Sequence, residues 1–147
     1  MNGAAEYVLS SVPFVVRRTA RWSDCDPAGI VYTGRYTEYL LDSARLFANH
    51  IADGDMAALA RREGISTPAR SMALEFMRPM EPGDVADIRY RVGEIREHSF
   101  ELHCQASGAA GEPLFAGRCT LICIGRENKT KVPIPQALRE ALLRHTS

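Results

Sequence analysis

The chain has 147 residues, 46% of them hydrophobic and 24% charged, with 18 basic side chains against 18 acidic ones. That length fits one domain, read as residues 1–147, and the composition excludes a disordered chain. The zero net charge excludes a surface built wholly for nucleic acid. No apolar run approaches the roughly 20 residues of a membrane span, and the first ten residues carry Glu6 but no Lys or Arg, unlike a secretory signal. Cys25, Cys104, Cys119 and Cys123 form no CxxC pair, so they read as free thiols of a reducing cytoplasm rather than a disulfide or zinc framework.

The first strand expected is Phe14 to Trp22, where Phe14, Val16, Ala20 and Trp22 share a face at period two. Ser23 to Val31 reads as a loop, since Asp, Pro and Gly fall together. The period then changes. Tyr36, Tyr39, Leu40, Ser43, Ala44, Phe47, Ala48 and Ile51 recur at steps of three and four, which predicts an amphipathic helix from about Gly34 to Ile51 with Thr33 as its N-cap. Small Ser43 and Ala44 suit close approach to a sheet. A shorter helix is expected over Asp55 to Glu63, stopped by Gly64.

Four strands follow with little between them: Ala69 to Arg78, Val85 to Ile95, Ser99 to Ser107, and Leu114 to Ile124. The last is almost wholly apolar and is expected to be buried on both faces. Pro135 as a first helical residue begins a short terminal helix through Leu138, Leu142 and Leu143. The order predicts an α+β fold, an antiparallel sheet of about five strands on one long helix. One helix leaves sheet edge and face uncovered, which dimerisation would remedy.

The densest polar signal is Trp22-Ser23-Asp24-Cys25-Asp26-Pro27-Ala28-Gly29-Ile30-Val31-Tyr32. A calcium loop fits poorly, because Ala28 and Arg35 stand where oxygen ligands are needed. Ordinary turn chemistry explains Asp before Pro-Ala-Gly. A third reading is catalytic: a helix N-terminus offers free N–H groups and partial positive charge to an oxyanion, beside a carboxylate able to attack a carbonyl or activate water. Cys25 reads as a packing residue, since flanking carboxylates suppress its thiolate.

The stretch DCDPAGIVYTGRYTEYLLDSARLF resembles the signature of the 4-hydroxybenzoyl-CoA thioesterase family, whose Asp-x-Asp-x-x-Gly-[IV]-[IV] run precedes the long helix. With the turn Arg78-Pro79-Met80-Glu81-Pro82-Gly83-Asp84 the layout looks like the hot-dog fold. The resemblance implies an acyl-CoA thioesterase, with Asp26 as nucleophile or general base and the Thr33 backbone N–H polarising the thioester carbonyl. Gly29 and Tyr32 would lie at the substrate. The residue that reads a 4-hydroxyl in that family falls at Leu41, so this ring substituent does not carry over. Trp22, Tyr32, Tyr36 and Tyr39 lean toward an aromatic acyl group, with aliphatic acyl groups open. The resemblance implies a homodimer or homotetramer, with no metal or redox cofactor, coenzyme A being part of substrate and product.

Two other classes stay open: a hydratase of the same fold, which would pair Asp26 with a histidine, and a non-catalytic acyl-CoA binding protein. No Gly-x-Ser-x-Gly elbow and no phosphate-loop motif occur. Coenzyme A carries phosphates, and residues Arg118 to Ser147 hold six basic side chains against two acidic, a net of +4. Arg126, Lys129 and Lys131 are the expected phosphate contacts. Sixteen of the 18 cations are Arg, which suits bidentate contacts.

Overall fold

The computed structural model describes residues 4–147. Its elements are β1 (Glu6–Ser11), β2 (Phe14–Thr19), a 3-10 turn at Trp22–Asp24, α1 (Thr33–Ile51), α2 (Met56–Glu63), β3 (Ile65–Ser66), β4 (Ala69–Phe76), β5 (Val85–Ile95), β6 (Ser99–Ser107), β7 (Pro113–Ile122), β8 (Ile124–Gly125) and α3 (Gln136–Leu143). Six strands form one sheet in the order β1-β2-β5-β6-β7-β4, and β3 pairs separately with β8. The fold class is as expected, α+β with one long helix. The sheet has six strands rather than about five, because β1 adds an edge.

Register follows from facing charges as well as from the apolar alternation. Arg17 lies opposite Asp87 in the β2–β5 pair, and its Nε and Nη2 donate to the two carboxylate oxygens at 2.8 and 2.9 Å. Glu6 lies opposite Arg18 in the β1–β2 pair, joined at 3.1 Å. β4 stands at the other edge and is exposed along nearly all its length.

The chain divides into two compact units. One comprises the residues up to Leu46 with Leu74–Tyr90 and Cys104–Gly117; the other comprises Phe47–Ala73, Arg91–His103 and Arg118–Ser147. In the first unit, Val16, Tyr39, Leu40, Met80, Ile88 and Phe115 are fully buried. Each large side chain so buried stabilises the fold by roughly 1.5–3 kcal/mol. The ring of Tyr36 packs edge-on against Tyr39 and Phe115, with centroids 5.8 and 5.3 Å apart. Gly117 of β7 permits the close approach of α1: a Cβ there would stand 3.1 Å from Leu40 Cδ1 and 3.0 Å from Cys104 Sγ. Ser43 serves the same packing. Its hydroxyl donates back to the Tyr39 carbonyl at 2.6 Å, while Tyr90 OH donates to the Leu40 carbonyl at 2.9 Å.

In the second unit, Phe47, Ile51, Ile65, Val92, Leu138 and Leu142 supply the core. Asp55 caps α2 by accepting from the Ala58 amide, and Gly64 ends the helix in the left-handed region at φ +69°. β5 is tied to the chain end by Val92 N donating to the His145 carbonyl at 2.7 Å. The rings of His50 and His145 meet edge-on at 5.0 Å. No helix among the described residues is long and apolar enough to cross a membrane.

Several boundaries differ from expectation. The first expected strand stops at Thr19, since Trp22 leaves the sheet, 80% exposed, in the 3-10 turn. The expected strand Leu114 to Ile124 breaks at Cys123, whose N–H donates to the His98 carbonyl while Ile124 pairs with β3. It is not buried on both faces: Arg118 is exposed beside buried Cys119. Thr33 is the first helical residue, not the cap, and Pro135 is the cap of α3, not its first residue. Asp42 of α1 contacts Arg18 of β2 at 3.5 Å.

Candidate active site

The segment between β2 and α1 is a closed loop whose two carboxylates have different surroundings. The 3-10 turn puts Asp24 underneath, 3% exposed. Its Oδ2 accepts from the Arg21 amide at 2.9 Å and from Tyr39 OH at 2.6 Å. Its Oδ1 lies 3.4 Å from Arg35 Nε. Burial opposes the charge, but the Tyr39 hydroxyl, the Arg21 amide and the Arg18 and Arg35 guanidiniums outweigh it and hold the Asp24 carboxyl below its ordinary value. Burial, then the Asp24 carboxylate, pushes Tyr39 far up. Arg18 lies over the Tyr39 ring at 4.5 Å.

Asp26 sits above, half-buried. Its Oδ1 accepts from the Ala28 amide at 2.9 Å, an Asx turn that orients the carboxylate. Among the described residues, Oδ2 has no hydrogen-bond partner. The backbone around it is closed: Asp26 N donates to the Ile30 carbonyl, Gly29 N to the Asp26 carbonyl, and Tyr32 N to the Asp24 carbonyl. Gly29 has φ +80°, which a residue with a side chain adopts only with strain. Val31 N donates to the Met80 carbonyl at 2.9 Å, and Tyr36 OH accepts from the Met80 amide at 3.3 Å. The turn at residues 78–84 thus braces the loop.

Helix α1 starts at once. Thr33 is exposed, and the amides of Thr33 and Gly34 find no acceptor within the helix, while Arg35 N donates to the Tyr32 carbonyl at 2.9 Å. Tyr32 is 41% exposed and its ring lies over Gly34, where a Cβ would stand 2.6 Å from Tyr32 Cε2. The guanidinium of Arg35 lies 5.4 Å from the same ring. Cys25 is not a poised thiolate: desolvation, then the charges of Asp24 and Asp26, push its thiol up.

Asp26, Gly29, Tyr32 and Thr33 therefore stand together in one loop-to-helix turn of the first unit. Arg126, Lys129 and Lys131 belong to the second unit, exposed in the turn after β8, where Lys129 Nζ donates to the Arg126 carbonyl at 3.2 Å. His103 Nε2 lies 2.7 Å from Glu101 Oε1, in the second unit. Two features escape a reading by spacing. The Asp24–Tyr39 bond joins residues 15 apart, and nothing local marks it. Gly34 had a signal, being a poor helix former in a first helical turn. Among the described residues, no three His, Cys, Asp or Glu side chains converge as metal ligands.

The profile of the family described as "Thioesterase-like superfamily" matches residues 20–142. A 1,4-dihydroxy-2-naphthoyl-CoA hydrolase from Acaryochloris marina is 27% identical over 126 residues, covering 82% of this chain and 89% of that one. The solved structure of Slr0204, a 1,4-dihydroxy-2-naphthoyl-CoA thioesterase from Synechocystis, aligns with a TM-score of 0.78 at 19% identity, covering 88% and 95%. That of BH1999, a gentisyl-coenzyme A thioesterase, aligns with a TM-score of 0.74 at 21% identity, covering 87% and 98%.

Proposed function

The chain belongs to the thioesterase-like superfamily, with its hot-dog fold and thioester-hydrolase chemistry, and from that premise we propose that it hydrolyses an acyl-CoA thioester at the Asp26 loop. One observation carries the reading: an oriented carboxylate keeps one oxygen unpartnered in the loop that runs into the open first turn of a long helix. The Asp26 carboxyl oxygen attacks the thioester carbonyl carbon, giving an acyl-carboxylate anhydride that water then opens, or it takes a proton from a water that attacks directly. In both routes the C–S bond breaks, the thiolate of coenzyme A takes up a proton and the free acid leaves. The Thr33 amide and the positive end of α1 stabilise the oxyanion. Gly29 gives the loop its bend, and Tyr32 lines the acyl side.

Relatives named for 1,4-dihydroxy-2-naphthoyl-CoA and gentisyl-CoA favour a hydroxylated aromatic acyl group, as do exposed Tyr32 and Trp22. We read residues 1–147 as one domain, cytoplasmic, requiring no metal or redox cofactor. The unpaired backbone of β4 favours a homodimer joined at that edge. Sedimentation should then give twice the 16.3 kDa chain mass for a dimer, or four times that mass for a pair of dimers.

The test is Asp26→Asn, assayed by thiol release from aromatic and aliphatic acyl-CoA thioesters. We expect a fall in kcat of about 10²-fold or more with unchanged thermal unfolding. A folded variant that keeps its rate refutes the role of Asp26. Substrate binding without turnover by the parent protein refutes the enzymatic reading.

A further inference from the structure

Tyr32, Tyr36 and Tyr39 follow the candidate loop into α1, but the last two are buried, 4% and 0% exposed. Of the three, Tyr32 alone, 41% exposed, has ring surface to offer a ligand. An exposed tyrosine ordinarily turns between rotamers, and ordering it on binding costs affinity. The Tyr32 ring is already held. The guanidinium of Arg35 lies over it, 5.4 Å from its centroid, within cation–π range. Gly34 lies against its Cε2 edge, where a Cβ would stand 2.6 Å away. The backbone adds a restraint, since Arg35 N donates to the Tyr32 carbonyl at 2.9 Å.

Arg35 is itself fixed from two sides. Nη1 donates to Glu38 Oε2 on the helix, and Nη2 donates to the Ser23 carbonyl at the start of the loop, at 3.3 Å. Nε approaches Asp24 Oδ1 at 3.4 Å but makes no hydrogen bond among the described residues. The guanidinium is therefore not a fork on Asp24. Its plane is set by Glu38 and Ser23, and it spreads over the ring. A planar cation with several donors does both tasks at once, which a lysine ammonium does not.

A ring fixed in this way is a flat wall beside the amides of Thr33 and Gly34, which find no acceptor within the helix. A planar aromatic acyl group stacked on it gains more than its buried area contributes. A flexible aliphatic chain gains burial alone and loses its own rotamer freedom. We propose that Arg35 is a positioning residue that sets acyl selectivity: it pins the Tyr32 ring against Gly34 and thereby favours aromatic over aliphatic acyl groups. The selectivity rests on the acyl-CoA reading above; the pinning of the ring does not.

The test uses the full chain, Arg35→Ala, Tyr32→Leu and the double variant. Tyr32→Leu leaves Ser23, Asp24 and Glu38 in place as partners of Arg35, so a folding defect of Arg35→Ala is recognised as such. NMR reads the ring first. The two Hα resonances of Gly34 should be split by the Tyr32 ring current in the parent chain and converge in Arg35→Ala, as in Tyr32→Leu. A Gly34 pair unchanged by Arg35→Ala overturns the pinning. Calorimetry then reads selectivity with two non-hydrolysable thioethers of coenzyme A: phenacyl-CoA and the straight-chain alkyl-ketone analogue of equal carbon number. Arg35→Ala should weaken phenacyl-CoA about fivefold and the alkyl analogue by less than about twofold. Added to Tyr32→Leu, it should change neither. Equal weakening of both ligands, or the same loss in the Tyr32→Leu background, overturns the proposal, because Arg35 then serves the loop alone. Binding of neither thioether by the parent chain overturns the acyl-CoA reading and the selectivity with it. The titrations need no turnover, so the proposal stands even if Asp26→Asn refutes the catalytic role of Asp26.

Discussion

Replacing Tyr39 by Phe tests how the candidate loop is held. The substitution keeps the buried ring and removes only the hydroxyl that donates to Asp24 Oδ2 at 2.6 Å. A hydrogen bond to a charged group contributes about 1.5–3 kcal/mol. Asp24 retains the Arg21 amide and the Arg35 contact, so the loss should lie near the middle, about 2 kcal/mol. For a domain of this size that lowers Tm by roughly 4–8 °C. The sign with pH follows from the depressed carboxyl of Asp24. Its stabilisation is fully present above the unfolded carboxyl value of about 3.9 and fades as pH falls through the lower folded value. The parent and Tyr39→Phe should therefore differ by about 2 kcal/mol at pH 7 and converge as pH falls below about 4. Urea unfolding at pH 7, 5, 4 and 3, with far-UV dichroism of each native baseline, measures this. A difference under about 0.5 kcal/mol at pH 7, or one equal at pH 3 and pH 7, refutes a charge-assisted bond between Asp24 and Tyr39.

Gly29→Ala should destabilise the protein by about 1 kcal/mol and lower kcat more than it changes KM, since φ +80° strains any Cβ and the bend aims Asp26; urea unfolding and steady-state kinetics check both. Gly34→Ala should leave stability unchanged or raise it by up to about 1 kcal/mol through helix propensity, while pushing the Tyr32 ring aside and shifting KM among acyl groups, read from a substrate panel. Phe115→Ala removes a fully buried ring packed on Tyr36 and should cost about 3–5 kcal/mol in urea unfolding.

How far the sequence could be read depended on whether a signal was local. Val85–Ile95 and Ser99–Ser107 show strict alternation, and the observed bounds of β5 and β6 are the expected ones. The helix α1 agrees within a residue. By contrast, β1 (EYVLSS) has no apolar alternation of its own and is held by pairing with β2. The apolar run after Leu114 overstated the length of β7, because apolar content does not tell a sheet partner from the separate pairing of Ile124 with β3. In the loop, residue types pointed to two carboxylates at a helix start. Which one is buried was illegible from spacing, since the Tyr39 hydroxyl that holds Asp24 arrives from a later turn of α1.

An inventory of amide protons narrows what the loop can offer a ligand. The N–H groups of Cys25, Asp26, Ala28, Gly29, Val31 and Tyr32 are each committed to an acceptor within the protein, and Pro27 has none to give. Loops that cradle an anion do so by turning such groups outward. This one has spent nearly all of them on its own closure. Main-chain donation to a reacting oxygen is left to Ile30, Thr33 and Gly34, since Arg35 N already donates to the Tyr32 carbonyl. The loop therefore supplies negative charge and shape, the helix supplies the donors, and the two contributions fall on opposite sides of a single bend of the backbone.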